Sequence, residues 1–182
     1  MPLSTQMIML LFAIVAVTIL FVFVIGKIGA LKKWDTATLV RRETVVLFVI
    51  YIVALFVVTV IAREKREDHL DQWIPFADII LIVKNGYPWY VDNFIVLDVI
   101  NVLLFIPYGL LAGEVLRLKR TKQLLPIASG IALSVVIEVV QFITKKGVFD
   151  VNDIIYNTLG TLIGCGLCVL FKWIWRKAAK PN

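Results

Sequence analysis

Histidine occurs once in the 182 residues, as His69, and cysteine twice, as Cys165 and Cys168. A zinc site of Cys and His ligands cannot be assembled from that stock. His69 follows the charged run Arg63-Glu64-Lys65-Arg66-Glu67-Asp68 and reads as a solvated loop residue. The two cysteines fall inside a long apolar block, where they read as small packing residues rather than a redox pair. Also missing are a Gly-rich phosphate loop, a nucleophile constellation, a cofactor motif, an internal repeat and a low-complexity tract. Acidic side chains are outnumbered 13 to 19 by Lys and Arg, but no basic stripe interleaves with stacking aromatics, so nucleic acid is excluded as the partner.

What the chain has in abundance is apolar surface. It is 60% hydrophobic with a mean hydropathy of +0.92, too apolar to stay dissolved, and the apolar residues come in blocks. About 20 residues of helix cross the hydrocarbon of a bilayer. Five blocks reach that length, at 7–26, 44–62, 94–116, 124–143 and 153–175. The expected fold is therefore an all-α integral membrane protein with about five transmembrane helices in a single membrane domain, 1–182. The first block lacks the basic leader and small-residue cleavage site of a signal peptide, so it is read as a retained helix.

Orientation follows from the flanking cations, because cytoplasmic loops retain Lys and Arg. With the N-terminus outside, only Arg63, Lys65, Arg66, Lys84, Lys145 and Lys146 of the 19 Lys and Arg residues lie on the outer side. That imbalance expects the N-terminus outside and the C-terminus inside. The longest outer connection, between helices 2 and 3, carries Trp73-Ile74-Pro75-Phe76 and Tyr87-Pro88-Trp89-Tyr90. Its aromatics suit the headgroup level, as an outer-leaflet loop or an aromatic belt.

Charge inside the spans is the sharper signal. Each intramembrane charge typically costs about 2.5–3.5 kcal/mol, so a plain anchor has no reason to carry one. Asp98 and Asn101 share a face of the third span, Glu138 and Gln141 a face of the fourth, and Asp153 and Asn157 a face of the fifth. All six fall within about 10 Å of the outer ends. Asp150, in the turn before the fifth span, is expected to hang over them, and Arg63 is the nearest cation by topology. Four carboxylates beside one arginine resist ionising together, so a retained proton, a cation or an Arg63 pair must relieve them. Interhelical hydrogen-bonded glue is the plainer alternative, and it favours amides and hydroxyls over carboxylates.

Pro107 removes a donor from the third span and frees the carbonyl of Leu103. Gly109 and Gly113, with Gly160 and Gly164, have the small-xxx-small spacing that packs helices closely. That spacing serves the monomer's own packing or a homo-oligomer equally well.

The ordered set Ile74-Pro75-Phe76, Asn101-Val-Leu-Leu-Phe-Ile-Pro-Tyr-Gly109, Glu138-Val-Val-Gln141, Asp150-Val-Asn-Asp153 and Asn157-Thr-Leu-Gly160 resembles the VanZ-like family over about residues 45–175. Gln72-Trp73 stands where the family pattern usually has Asn-Leu. The resemblance implies a multi-pass protein of the bacterial cell envelope, related to one that confers low-level resistance to the lipoglycopeptide antibiotic teicoplanin. Its implied partners are the lipid bilayer and a lipid-linked cell-wall precursor or the lipoglycopeptide itself.

Three functions stay open. In a resistance or accessory protein, Arg63, Trp73, Phe76, Asp98, Asn101, Gln141, Asp150 and Asn157 line an outer-leaflet ligand pocket. In a membrane-embedded enzyme, Glu138 and Asp153 do acid/base work, or Glu138, Asp150 and Asp153 hold a divalent cation. Oxygen-only ligands suit Mg²⁺, Ca²⁺ or Mn²⁺. In a proton-coupled transporter Asp98 and Glu138 form a relay, although the inner halves of the spans supply few polar steps.

Overall fold

The computed structural model describes residues 36–61, 80, 91–116, 124–147 and 149–178. The expected span at 7–26, and Arg63, Trp73 and Phe76 of the long connection, lie outside the described residues. Within them the chain is helical. Helix α1, Thr36–Phe56, runs on into a π-helical turn, Val57–Ile61. Then come α2, Val91–Val115, α3, Leu125–Ile143, and α4, Val151–Ala178. Four stretches are long and apolar enough to cross a membrane: Glu43–Ile61, Val96–Val115, Leu125–Ile143 and Val151–Ile174. They fall on the expected second to fifth spans. Helix α1 begins earlier than expected, at Thr36, because its first residues continue the helix in polar sequence that hydropathy alone does not mark.

The helices show to their surroundings what a water-soluble fold would hide. Val49, Ile50 and Val53 of α1, Val135, Val136 and Val139 of α3, and Phe171, Trp173 and Ile174 of α4 are all exposed. Apolar area on that scale is stable against lipid and not against water. Inside, Phe48, Tyr51 and Leu55 of α1 meet Leu104, Phe105, Tyr108 and Leu111 of α2, with Ile137 of α3 closing the cluster. The Tyr108 ring stands 5.3 Å from Phe48 and 5.6 Å from Phe105, centroid to centroid, and both pairs are tilted.

The tightest pairing is α2 against α4. A Cβ placed on Gly109 would fall onto the carbonyl of Thr161, one on Gly160 onto the carbonyl of Val102, and one on Gly164 onto the carbonyl of Ile106. Backbone meets backbone there, as small-residue packing in lipid requires. The glycine spacing is therefore used within the chain. Pro107 does not break α2, which continues through it. The carbonyl that gains an outside donor is Leu104's rather than Leu103's: the Tyr51 hydroxyl donates to it at 2.5 Å.

A matched pair of substitutions tests this packing. Gly164→Ala is expected to destabilise the protein by about 1–3 kcal/mol through overpacking. Gly166→Ala, two residues on and so on the opposite face of the helix with nothing within 4 Å, should be neutral or slightly stabilising. Unfolding of the two variants in detergent, followed by circular dichroism, checks it. Equal losses at both positions would mean the close α2–α4 contact is wrong.

Candidate functional site

Ser134, Glu138 and Gln141 fall at i, i+4 and i+7 of α3, and a 3.6-residue period puts them on one face. All three are fully buried, Glu138 and Gln141 at 1% exposure each. Gln141 spends its amide on the backbone of α1: Nε2 donates to the Thr59 carbonyl at 2.8 Å. Thr59 lies in the π-helical turn, and its own hydroxyl donates back to Leu55 at 2.8 Å. A hydroxyl that occupies the i−4 carbonyl loosens the local ladder. The widened turn then offers a carbonyl that a neighbouring helix can take.

Helix α3 ends in a hydrogen-bonded reversal. Lys145 sits at φ 57°, and the N–H groups of Lys145 and Lys146 donate to Phe142 and Gln141. That is the Schellman arrangement, built here on a lysine where glycine is usual. It carries Lys146 to the end of α1, where its ammonium donates to the Ile61 carbonyl at 2.7 Å. It also folds the next segment back over α3. The Asp150 N–H donates to Glu138 Oε2 at 3.0 Å, and Asp150 Oδ1 accepts the Asn152 N–H at 2.8 Å. Asp150 is thus the N-cap of α4. Asp153, in the first turn of α4, is left to face a different partner.

That partner is on α2. Asn101 Nδ2 donates to Asp153 Oδ1 at 2.6 Å, a short bond that joins α2 to the first turn of α4. One turn further along α4, Asn157 Nδ2 donates to Ser134 Oγ of α3 at 2.8 Å. Below it, the Thr161 hydroxyl donates to the Asn157 carbonyl at 2.9 Å. Asn157 is 4% exposed, and its Oδ1 has no hydrogen-bond partner. A buried acceptor left in that state typically costs about 1–3 kcal/mol.

The structure therefore brings Asn101, Glu138, Gln141, Asp150, Asp153 and Asn157 to the end of the bundle where α3 turns into α4. Asp98 is half-buried one turn before Asn101 on the same helix. No group of three His, Cys, Asp or Glu side chains that could hold a metal ion occurs among the described residues. One oxygen of each carboxylate accepts a bond: Glu138 Oε2 from the turn, Asp150 Oδ1 from its own helix and Asp153 Oδ1 from α2. Ser134 and Thr161 were not among the expected residues. Both extend the polar stripes by one helical turn, Ser134 from Glu138 and Thr161 from Asn157, so continuing the i, i+4 series would have found them. The Thr59 carbonyl carried no signal in the sequence, since it depends on the π-helical turn.

The opposite end of the α2–α4 pair holds a separate group. Glu114 pairs with Lys172 at 2.5 Å, and Cys168 Sγ lies 3.7 Å from the same carboxylate. Cys165 Sγ lies 3.3 Å from the Gly109 carbonyl. Cys168 is buried against Gly113, so the cysteines serve packing between α2 and α4.

The family model described as VanZ/LLP1 matches residues 48–172, which hold every polar contact above that joins one helix to another. The chain is similar to Protein VanZ of Enterococcus faecium, at 39% identity over 67 residues. That match spans 37% of this chain and 40% of the relative's length. No solved structure matches.

The Asn101–Asp153 bond generates a test that does not depend on function. Asn101→Leu is expected to cost about 1.5–3 kcal/mol, as for a hydrogen bond to a charged group. In an Asp153→Asn background the same change should cost less than half of that. A double-mutant cycle on unfolding in detergent reads the difference, and additive losses would show that the two side chains are not coupled.

Proposed function

The chain belongs to the VanZ/LLP1 family and is a multi-pass bacterial membrane protein, and from that premise we propose that it contributes to teicoplanin-type resistance. In this reading the polar end of the bundle faces the outer leaflet. It receives a lipid-linked or cell-wall-related molecule and alters the access of a lipoglycopeptide to its target. The fold completes itself with the 7–26 span as a fifth helix, N-terminus outside and C-terminus inside, in one membrane domain over 1–182. In this proposal Arg63, Trp73 and Phe76 of the long connection join Asp98, Asn101, Gln141, Asp150 and Asn157 in holding the ligand.

The observation that carries the reading is Glu138, a carboxylate at 1% exposure whose Oε2 accepts the N–H of the turn that covers it. Helices already joined by Gln141, Ser134 and the glycine contacts have no mechanical need of a buried acid. An acid in lipid is a functional residue by default. The same burial favours a second reading, a membrane-embedded acid/base enzyme with Glu138 and Asp153 as the working pair. Both readings place the chemistry at the same end of the bundle.

Expression of the wild type and of Glu138→Gln at matched membrane levels in a susceptible Gram-positive host separates the possibilities. The wild type is expected to raise the inhibitory concentration of teicoplanin several-fold and leave that of vancomycin unchanged, and Glu138→Gln should abolish the protection. A changed profile of lipid-linked precursors in the wild type, absent in the mutant, would favour the enzyme. No protection by the wild type would sink the resistance role.

A further inference from the structure

At the end remote from the candidate site, helix α4 divides its cations between two faces. Lys172 is turned toward α2, where Glu114 neutralises it at 2.5 Å. Lys177 is exposed, and its ammonium lies 5.2 Å from the centroid of the exposed Trp173 ring. Among the described residues no carboxylate pairs with Lys177. From Lys172 onward the sequence holds Lys172, Arg176, Lys177 and Lys180 and no acid, and the connection from α2 to α3 at the same end adds Arg117, Lys119, Arg120 and Lys122, again without an acid. A cation over an indole at the end of an apolar helix suits the boundary between hydrocarbon and headgroups. The surface leading up to this pair continues it. Leu162, Gly166, Leu170, Trp173 and Lys177 follow at steps of three or four residues, within about 80° of arc on the face opposite the one that Gly160, Gly164 and Cys168 press on α2. Leu162 and Leu170 are exposed, and Gly166 between them has nothing within 4 Å of where a Cβ would stand, so the stripe is notched there. By helical rise the notch lies about 10 Å deeper than Trp173, inside the roughly 15 Å of one leaflet's hydrocarbon.

We propose that this stripe of α4 holds an anionic phospholipid, with its phosphate at Lys177, its glycerol region at Trp173 and one acyl chain along Leu170 and over the Gly166 notch toward Leu162. The occupant is a lipid because the stripe passes from apolar to aromatic to cationic in the order in which a phospholipid passes from chain to glycerol to headgroup. The charge selects the headgroup. A choline headgroup already carries a cation beside its phosphate and gains little from a second one, whereas a glycerol headgroup leaves the phosphate to Lys177. Lys172, neutralised by Glu114, takes no part in this selection.

The test places the full chain in nanodiscs of equimolar phosphatidylglycerol and phosphatidylcholine, releases it into mild detergent and counts the retained lipids by native mass spectrometry. Both faces of the nanodisc carry the same lipids, so the orientation of the chain does not enter. The wild type is expected to retain phosphatidylglycerol several-fold over phosphatidylcholine. Lys177→Gln should cut that preference to less than half, and Lys177→Arg should keep it, which ties the loss to charge and not to misfolding. Gly166→Leu, which fills the notch and leaves the charge in place, should lower phosphatidylglycerol retention as well. Lys145→Gln, which removes a cation at the opposite end, should leave it unchanged. Equal retention of the two lipids by the wild type would overturn the proposal, and so would a loss in Lys145→Gln as large as that in Lys177→Gln. Retention that survives both Lys177→Gln and Gly166→Leu would place the lipid elsewhere. Lipid-free dimers that disappear in Gly166→Leu would assign the stripe to a second copy of the chain instead.

Discussion

Where Gly109 of α2 meets the Thr161 carbonyl of α4, no side chain separates the two backbones, and the same is true at Gly160 and Gly164. In lipid, apolar side chains gain little by leaving one apolar medium for another, so close contact between backbones takes over part of the work that hydrophobic burial does in water. That contact fixes the axial register of α2 and α4. With Gly160 seated on the Val102 carbonyl, the neighbouring residue Asn101 is carried to the first turns of α4, where it finds Asp153 at 2.6 Å. A shift of α4 by one residue would rotate Asp153 away by about 100° and leave both polar groups facing hydrocarbon.

Helix α3 joins this pair by a different device. It offers a polar edge, Ser134, Glu138 and Gln141, rather than a groove, and each member reaches a separate element: Asn157 of α4, the turn at Asp150, and the Thr59 carbonyl at the end of α1. Lys146 adds the Ile61 carbonyl one turn later. The end of α1 is consequently held by two side chains from the α3 terminus. An opened helix end in a membrane needs such donors, because no water supplies them.

The sequence was most informative where a single physical requirement dominates. Four of the expected spans fall on α1 to α4 because crossing hydrocarbon demands about 20 apolar residues whatever the fold. The polar stripes were legible for the same reason: charge in a span is rare enough to stand out, and helical periodicity then assigns a face. The glycine pairs announced close packing but not with whom, since spacing is the same for a partner in the chain or in a second copy. What stayed hidden depends on backbone detail. The π-helical turn that exposes the Thr59 carbonyl, the lysine that takes the left-handed position at Lys145, and the choice of Asp150 over Asp153 as N-cap all follow from how the turns close. Pro107 shows the limit well. Its lost donor was evident, yet the outside donor came to Leu104, because Tyr51 on α1 happens to reach that carbonyl.

Hydrogen-bonded glue and a ligand pocket were alternatives in the sequence, and in the structure they divide the same residues between them. Gln141, Ser134, Thr161 and Lys146 close contacts between or along helices with amide, hydroxyl or ammonium groups, which is what glue requires. Asp150 and Asp153 lie at the α3–α4 turn and the first turn of α4, and Glu138 is buried between Ser134 and Gln141 on α3. Had they served adhesion alone, neutral isosteres would have met the same geometry without an intramembrane charge to support. These contacts, with the bonds that Asp150 and Asp153 accept, account for how the helix ends are held, and they leave Glu138 as the acid that adhesion explains least. That buried acid is what gives the proposed pocket its chemical character.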